Sequence, residues 1–202
     1  MITLVMLALA TTARLYGLYH HIPMLKIPFI GIFAVLICWW FGSQYDKVKF
    51  HSIKDTLTGI HNRRFVYQRF PKLLAKMRKR NEHLTLFLID VDNFKQINDT
   101  HGHEMGDRVL QHISRILVSS TSRKETVARW AGDEFVVISP NSNETSDEAI
   151  LKQIKNALRE LSGELHMNVS VSIGASVYPN DAKILDALLA AADRELYELK
   201  SR

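Results

Sequence analysis

Two runs of β-forming residues, Thr126 to Trp130 and Phe135 to Ser139, are separated only by Ala131-Gly132-Asp133-Glu134. So short an interval between strand-like runs forces a tight antiparallel hairpin. Gly132 supplies the backbone freedom that such a turn needs. Asp133 and Glu134 then stand together at the tip, where exposed carboxylates can hold a hard cation such as Mg²⁺. Taken alone, an acidic tip is most simply a solvated one.

A second acidic strand end changes that reading. Leu84-Thr85-Leu86-Phe87-Leu88-Ile89 is an apolar run that ends in Asp90-Val91-Asp92. Its pattern predicts a buried strand delivering carboxylates to its C-terminal edge, where ligands of α/β sheets are commonly bound. Asn93-Phe94-Lys95 then enters a short helix, whose free N–H groups, with Lys95, can meet phosphate oxygens. An acidic strand end, a basic turn and an acidic hairpin together describe metal-assisted phosphoryl transfer.

With these segments the chain resembles the GGDEF family of diguanylate cyclases, which condense two GTP into cyclic di-GMP. Four motifs stand in the family's order: Asp55-Thr56-Leu57-Thr58-Gly59-Ile60-His61-Asn62-Arg63-Arg64, Asp90 to Lys95, Asn98-Asp99 through His101-Gly102-His103 to Gly106-Asp107, and Arg129 to Phe135. The resemblance covers about residues 46–202. It implies an α+β fold, the palm shared with class III nucleotidyl cyclases, in which a sheet containing antiparallel strands is covered by helices.

The same resemblance implies the roles of individual residues. Asp90, the Val91 carbonyl and Asp133 are expected to bind Mg²⁺ or Mn²⁺, with Glu134 beside them. Asp133, Glu134 and Lys95 are expected to be catalytic. Asn93, Phe94 and Lys95 match the turn that cradles phosphate, and Lys200 matches a late phosphate-contacting lysine. Asn98, His103 and Asp107 match the guanine-binding segment. The chemistry agrees, because a carboxylate accepts from the N1–H and N2–H edge that adenine lacks. The spacing of His101 and His103 is read as part of that segment and not as a metal pair. A homodimer is implied, since each half-site holds one GTP.

The chain departs from the family pattern in three places. Ala131 stands where the first glycine is usual, a change that costs little if its φ stays negative. The sequence stops two residues after Lys200, before the Gly-Arg-Asn that usually follows, so the arginine expected there is missing unless Arg202 substitutes for it. The product-inhibition motif Arg-x-x-Asp is matched by Ser122 and Glu125, so no inhibitory site is expected. Arg123, one position along, is expected to project in another direction. The alternative function is a weakly active or inactive module that binds GTP or another protein.

The N-terminal part reads differently. Ile27 to Tyr45 is nineteen residues without a charge, about 28 Å as a helix against about 30 Å of hydrocarbon. Residues 1–45 are therefore expected to be a membrane region, with spans at about 2–19 and 25–45. A linker helix over 46–54 and the GGDEF domain over 55–202 follow. Lys47, Lys49 and Lys54 outnumber Arg14 and Lys26, which favours a catalytic domain in the cytoplasm, below the inner membrane. A net charge of +5 would permit nucleic-acid binding, but the cations are dispersed and no nucleic-acid partner is expected. Lys72, Lys76, Arg78, Lys79 and Arg80 read as a solvated helix end, with anionic lipid as the alternative contact. The single cysteine, Cys38, excludes a disulfide framework.

Finer expectations complete the reading. Asn62 caps a helix from Arg63, which Pro71 breaks or restarts before Asn81. Gly102 and Gly106 lie in a loop, followed by a helix over Asp107 to Ser119. Ser146 to about Leu161 is helical, Asn168 to Ser176 is a strand facing a core on one side, and Ala182 to Lys200 is helical.

Overall fold

The computed structural model describes residues 11–12, 14–20, 31–40, 42, 53–140 and 144–201. The chain divides into two compact units, Met1–Ser52 and Ile53–Arg202. In the first unit, residues 14–19 and 31–40 are helical, and Ile32, Phe33, Leu36, Trp39 and Trp40 are exposed. Among the described residues no helix is long and apolar enough to cross a membrane. Much of the two expected spans, 2–19 and 25–45, and residues 46–52 of the expected linker helix lie outside the described residues. Ile53 and Lys54 are not helical, and Lys54 instead forms a bridge with His61.

In the second unit a mixed sheet is built from β1 (His61–Asn62), β2 (Leu84–Val91), β3 (Thr126–Ala131), β4 (Glu134–Pro140) and β5 (Val171–Tyr178). Their order is β1-β3-β4-β2-β5, with β1 parallel to β3 and every other pair antiparallel. The helices are α1 (Arg63–Arg80), α2 (Phe94–His101), α3 (His103–Ser119), α4 (Glu144–Leu165) and α5 (Leu185–Lys200). This is the expected α+β palm.

Alternation along the central strands sorts two cores. Leu84, Leu86 and Leu88 of β2, with Val136 and Ile138 of β4, pack with Val66, Phe70 and Met77 of α1 and Leu188, Ala192 and Leu196 of α5. Phe87, Ile89 and Val91, with Phe135 and Val137, pack with Val109, Leu110 and Ile113 of α3 and Ile154 and Leu158 of α4. Because side chains of a strand point alternately to opposite faces, one apolar run serves both layers. That covering fixes β2 in register, and so fixes where Asp90 emerges.

Several local expectations are corrected. Pro71 does not break α1, which is continuous through it. An interior proline costs about 3 kcal/mol, whereas full burial of side chains such as Val66, Phe70 and Met77 returns about 1.5–3 kcal/mol each. Packing wins. Asn62 caps the helix as expected, its Oδ1 accepting from the Phe65 N–H at 3.1 Å, and Asn81 ends it in the left-handed conformation.

Gly106 lies inside α3 and not in a loop, and the helix begins at His103 and not at Asp107. Gly102, at φ 83°, makes the break between α2 and α3 alone. α4 and β5 extend beyond their expected C-terminal limits, while β5 and α5 begin three residues later than expected. β5 is covered on both faces: Ile173 and Ala175 pack on the α3/α4 side, and Gly174 lies against α5.

Candidate active site

The antiparallel register sets Asp90, near the end of β2, directly opposite Glu134, the first residue of β4. The Val91 N–H donates to the Asp133 carbonyl at 3.3 Å, which pins the hairpin tip against the end of β2. Asp90, Val91, Asp133 and Glu134 are therefore brought together, as the sequence suggested. Burial first, and then the charges of Asp90 and Asp133, push the Glu134 carboxyl above its ordinary value. Lys200, at the C-terminal end of α5, puts its ammonium on Asp90 Oδ1. The lysine expected to meet phosphate thus stands beside the expected metal carboxylate.

Asp92 does not join them. Its two carboxylate oxygens accept from the Ser170 hydroxyl at 2.7 Å and the Ser172 hydroxyl at 2.6 Å, and its N–H donates to the Ser170 carbonyl. It braces the end of β2 against β5 and leaves Asp90 to face the hairpin.

The turn also answers the question raised by Ala131. Positive φ in the hairpin falls on Gly132 at 39°, and Ala131 is not among the positive-φ residues. Its methyl carries no left-handed strain. A register shift between Arg129 and Ala131 marks a bulge at Trp130.

One positioning pair escaped the sequence reading. Arg129 Nη1 meets Asp55 Oδ1 at 3.1 Å, and its Nε donates to the Gly132 carbonyl at 2.8 Å. Asp55 also accepts from the N–H and hydroxyl of Thr58. Burial raises the Asp55 carboxyl, but the Thr58 and Arg129 donors outweigh it and hold it below its ordinary value. The opening motif thereby fastens the hairpin tip. Its signal was opposite charges in two motifs, but only folding shows which pair meets.

The residues expected to bind nucleotide sit on the helix pair that follows β2. Asn93 takes the left-handed conformation, at φ 54°, directly before α2. Phe94 is half-buried against the α3/α4 core and Lys95 is exposed. Asn98 is half-buried against α3, while His103 and Asp107 are exposed on it. A Cβ on Gly106 would lie 2.0 Å from Asn98 Oδ1 and 3.2 Å from Phe94 Cζ, so the missing side chain is what admits Asn98. That role of Gly106 was not legible beforehand.

The Ser122 region is closed in on itself. Glu125 Oε2 accepts from both the N–H and the hydroxyl of Ser122, at 2.6 and 2.5 Å. Arg123 is exposed and lines the same groove of about 610 Å³ as Ser122, Glu125 and Arg115.

Among the described residues no three or more His, Cys, Asp or Glu side chains are grouped to hold a metal unaided. The oxygen donors nevertheless fit a hard cation. Mg²⁺ is commonly held by one or two carboxylates plus substrate phosphates, and here the charges of Asp90 and Asp133 add to burial, the larger cause, in raising the Glu134 carboxyl.

Comparison with known proteins gives the same picture. The family described as "Diguanylate cyclase, GGDEF domain" matches residues 52–202. Diguanylate cyclase A of Treponema denticola is 37% identical over 125 residues, 60% of this chain and 34% of that protein. Diguanylate cyclase DosC of Escherichia coli is 34% identical over 164 residues, 78% of this chain and 35% of that protein. The chain thus spans about a third of the length of these relatives. The solved GGDEF domain of TpbB (YfiN) from Pseudomonas aeruginosa superposes with a TM-score of 0.68 at 34% identity, covering 73% of this chain and 88% of that one. With the match running through the whole second unit and the carboxylates gathered at the strand end and hairpin tip, the chain belongs to the diguanylate cyclase GGDEF-domain family.

Proposed function

We propose that the protein is a diguanylate cyclase that condenses two GTP into cyclic di-GMP and releases two pyrophosphates. The observation that carries this reading is Asp90 set opposite Glu134, with the Asp133 carbonyl tied to Val91. In the reaction the 3′-oxygen of each GTP bonds to the α-phosphorus of the other, while each bond from α-phosphorus to the bridging oxygen breaks. A Mg²⁺ or Mn²⁺ ion held by Asp90, the Val91 carbonyl and Asp133 would polarise the phosphate and offset the charge leaving with pyrophosphate. Glu134, with its raised carboxyl, is suited to take the 3′-hydroxyl proton. Lys95 and Lys200 neutralise phosphate oxygens. Asn93 and Phe94 shape the turn beneath the phosphates, and Asn98, His103 and Asp107 hold guanine.

Because one site holds one GTP, the active unit is a homodimer. The chain is held at the cytoplasmic membrane by its N-terminal region, with the catalytic unit in the cytoplasm where GTP is supplied. The uncharged stretch of Ile27 to Tyr45 supports this, as do the apolar side chains exposed on helix 31–40. A non-catalytic GTP-binding module is the competing reading, and an unstrained Ala131 removes one reason for it.

The test is incubation of the purified protein with GTP and Mg²⁺, with chromatographic resolution of products, beside Asp133→Asn. Wild type should yield cyclic di-GMP and the variant none, with its fold intact by circular dichroism. Equal turnover by Asp133→Asn would sink the metal assignment. Bound but unconverted GTP in wild type would favour the module.

A further inference from the structure

α1 is unusual in its charge. Over Arg63–Arg80 it carries eight basic and no acidic side chains, while the remainder of residues 53–202 carries fourteen basic and twenty acidic ones. The unit is thus strongly polarised, although its net charge is small. Within α1, Val66, Phe70 and Met77 face the core. Arg69, Lys72, Lys76, Lys79 and Arg80 are all exposed, and helical spacing places them on one flank within an arc of about 100° and along about 16 Å. Among the described residues only Arg80 of these five has an ion-pair partner, Glu82 at 3.9 Å.

We infer that this flank of α1 docks on the anionic lipid surface of the membrane that carries the chain, and so orients the catalytic unit, an inference that rests on the membrane-anchored reading above. Charge complementarity favours lipid as the occupant. The cytoplasmic leaflet is anionic, and each Lys or Arg held near it strengthens partitioning about fivefold. Reach favours it too. Arg63 follows Tyr45, the last residue of the apolar stretch, by eighteen positions, at most about 60 Å of extended chain. The excess of carboxylates elsewhere on the unit would be repelled by the same surface, so contact through α1 is selected by sign. Arg63, by contrast, lies over the Trp130 and Tyr67 rings and is not counted in the docking flank.

The experiment uses the full chain in nanodiscs of phosphatidylcholine alone or with added phosphatidylserine. Cys38, the sole cysteine, is replaced by serine, and a fluorophore is attached at Gln68→Cys beside the flank or at Glu160→Cys on α4 in the other helix layer. Lipids with a nitroxide at the headgroup report proximity. The Gln68 label should be quenched at least about twofold more with anionic lipid, the Glu160 label should not, and raised salt should abolish the difference. Arg69→Gln, Lys72→Gln, Lys76→Gln and Lys79→Gln combined should abolish it too, with unchanged circular dichroism and unchanged turnover in phosphatidylcholine. Quenching that ignores lipid charge, or that is equal at both labels, overturns the inference. So does displacement of the Gln68 signal by an oligonucleotide that binds more tightly than anionic lipid.

Flotation with vesicles at neutral pH, repeated after an alkaline carbonate wash that keeps only inserted chains, separates the two ideas. Retention on neutral vesicles supports the anchor. Flotation on anionic vesicles alone, reversed by salt and lost in the combined variant, would leave the docking flank standing and overturn the anchor. No flotation on either would overturn both.

Discussion

Gly106→Ala separates the space that holds the fold from the space that serves nucleotide. Gly106 lies within α3, where alanine is favoured over glycine by about 1 kcal/mol. Against that, the new methyl would stand 2.0 Å from Asn98 Oδ1 and 3.0 Å from its Cγ. The obstacle is the end of a flexible side chain and not backbone, so Asn98 can swing away at about 0.5–1.5 kcal/mol of rotamer strain. Phe94, at 3.2 Å, need yield only slightly. These terms nearly cancel, and folding stability should stay within about 1 kcal/mol of wild type. Nucleotide binding has no such compensation. Displacing the Asn98 amide would remove the proposed contacts to guanine, worth about 1–3 kcal/mol, or about 5- to 150-fold in affinity. The assay pairs thermal denaturation with calorimetric titration of a non-hydrolysable GTP analogue and its adenine counterpart. Wild-type stability with weakened GTP affinity and a reduced preference over ATP is expected. Unchanged affinity would remove Asn98 from guanine recognition. A large loss of stability would show that the gap serves packing.

Gly174→Ala should behave oppositely, because its Cβ would meet backbone: the Ala192 carbonyl oxygen at 2.0 Å and the Leu196 nitrogen at 2.8 Å. α5 must shift, at a cost of about 1–3 kcal/mol, and Lys200 moves with it; an unchanged melting temperature would refute the contact. Glu134, raised first by burial and then by Asp90 and Asp133, supplies a pH signature. A raised carboxyl stabilises the fold below the ordinary glutamate value of about 4.3, and that contribution is lost as pH rises through the raised folded value. Glu134→Gln should therefore melt higher than wild type at neutral pH, with the gap narrowing in acid and in added Mg²⁺; a variant no more stable at neutral pH refutes the crowding of charge. Finally, cyclic di-GMP should inhibit weakly, because Glu125 is engaged by Ser122. Ser122→Arg should strengthen inhibition when initial rates are measured against added product, and tight inhibition of wild type would count against the reading.

Patterns that repeat over a few residues were legible in the sequence, because they depend only on neighbours along the chain. The apolar run of β2, the two arms around Gly132 and the spacing of Val109, Leu110, Ile113 and Leu117 announced their elements, and the acidic ends of two of them marked the site. What needed the tertiary structure were pairings between distant residues. Asp90 and Asp92 look equivalent in sequence, yet Ser170 and Ser172, at the start of β5, meet Asp92 and the hairpin brings Glu134 to Asp90. Asp55 and Arg129 are 74 positions apart and Lys200 and Asp90 are 110 apart, so no local pattern couples them. Pro71 is tolerated because the core on α1 outweighs its local penalty. Gly106 and Gly174 matter for what lies opposite them, a side chain in one case and a helix backbone in the other, and that opposition exists only once the layers have packed.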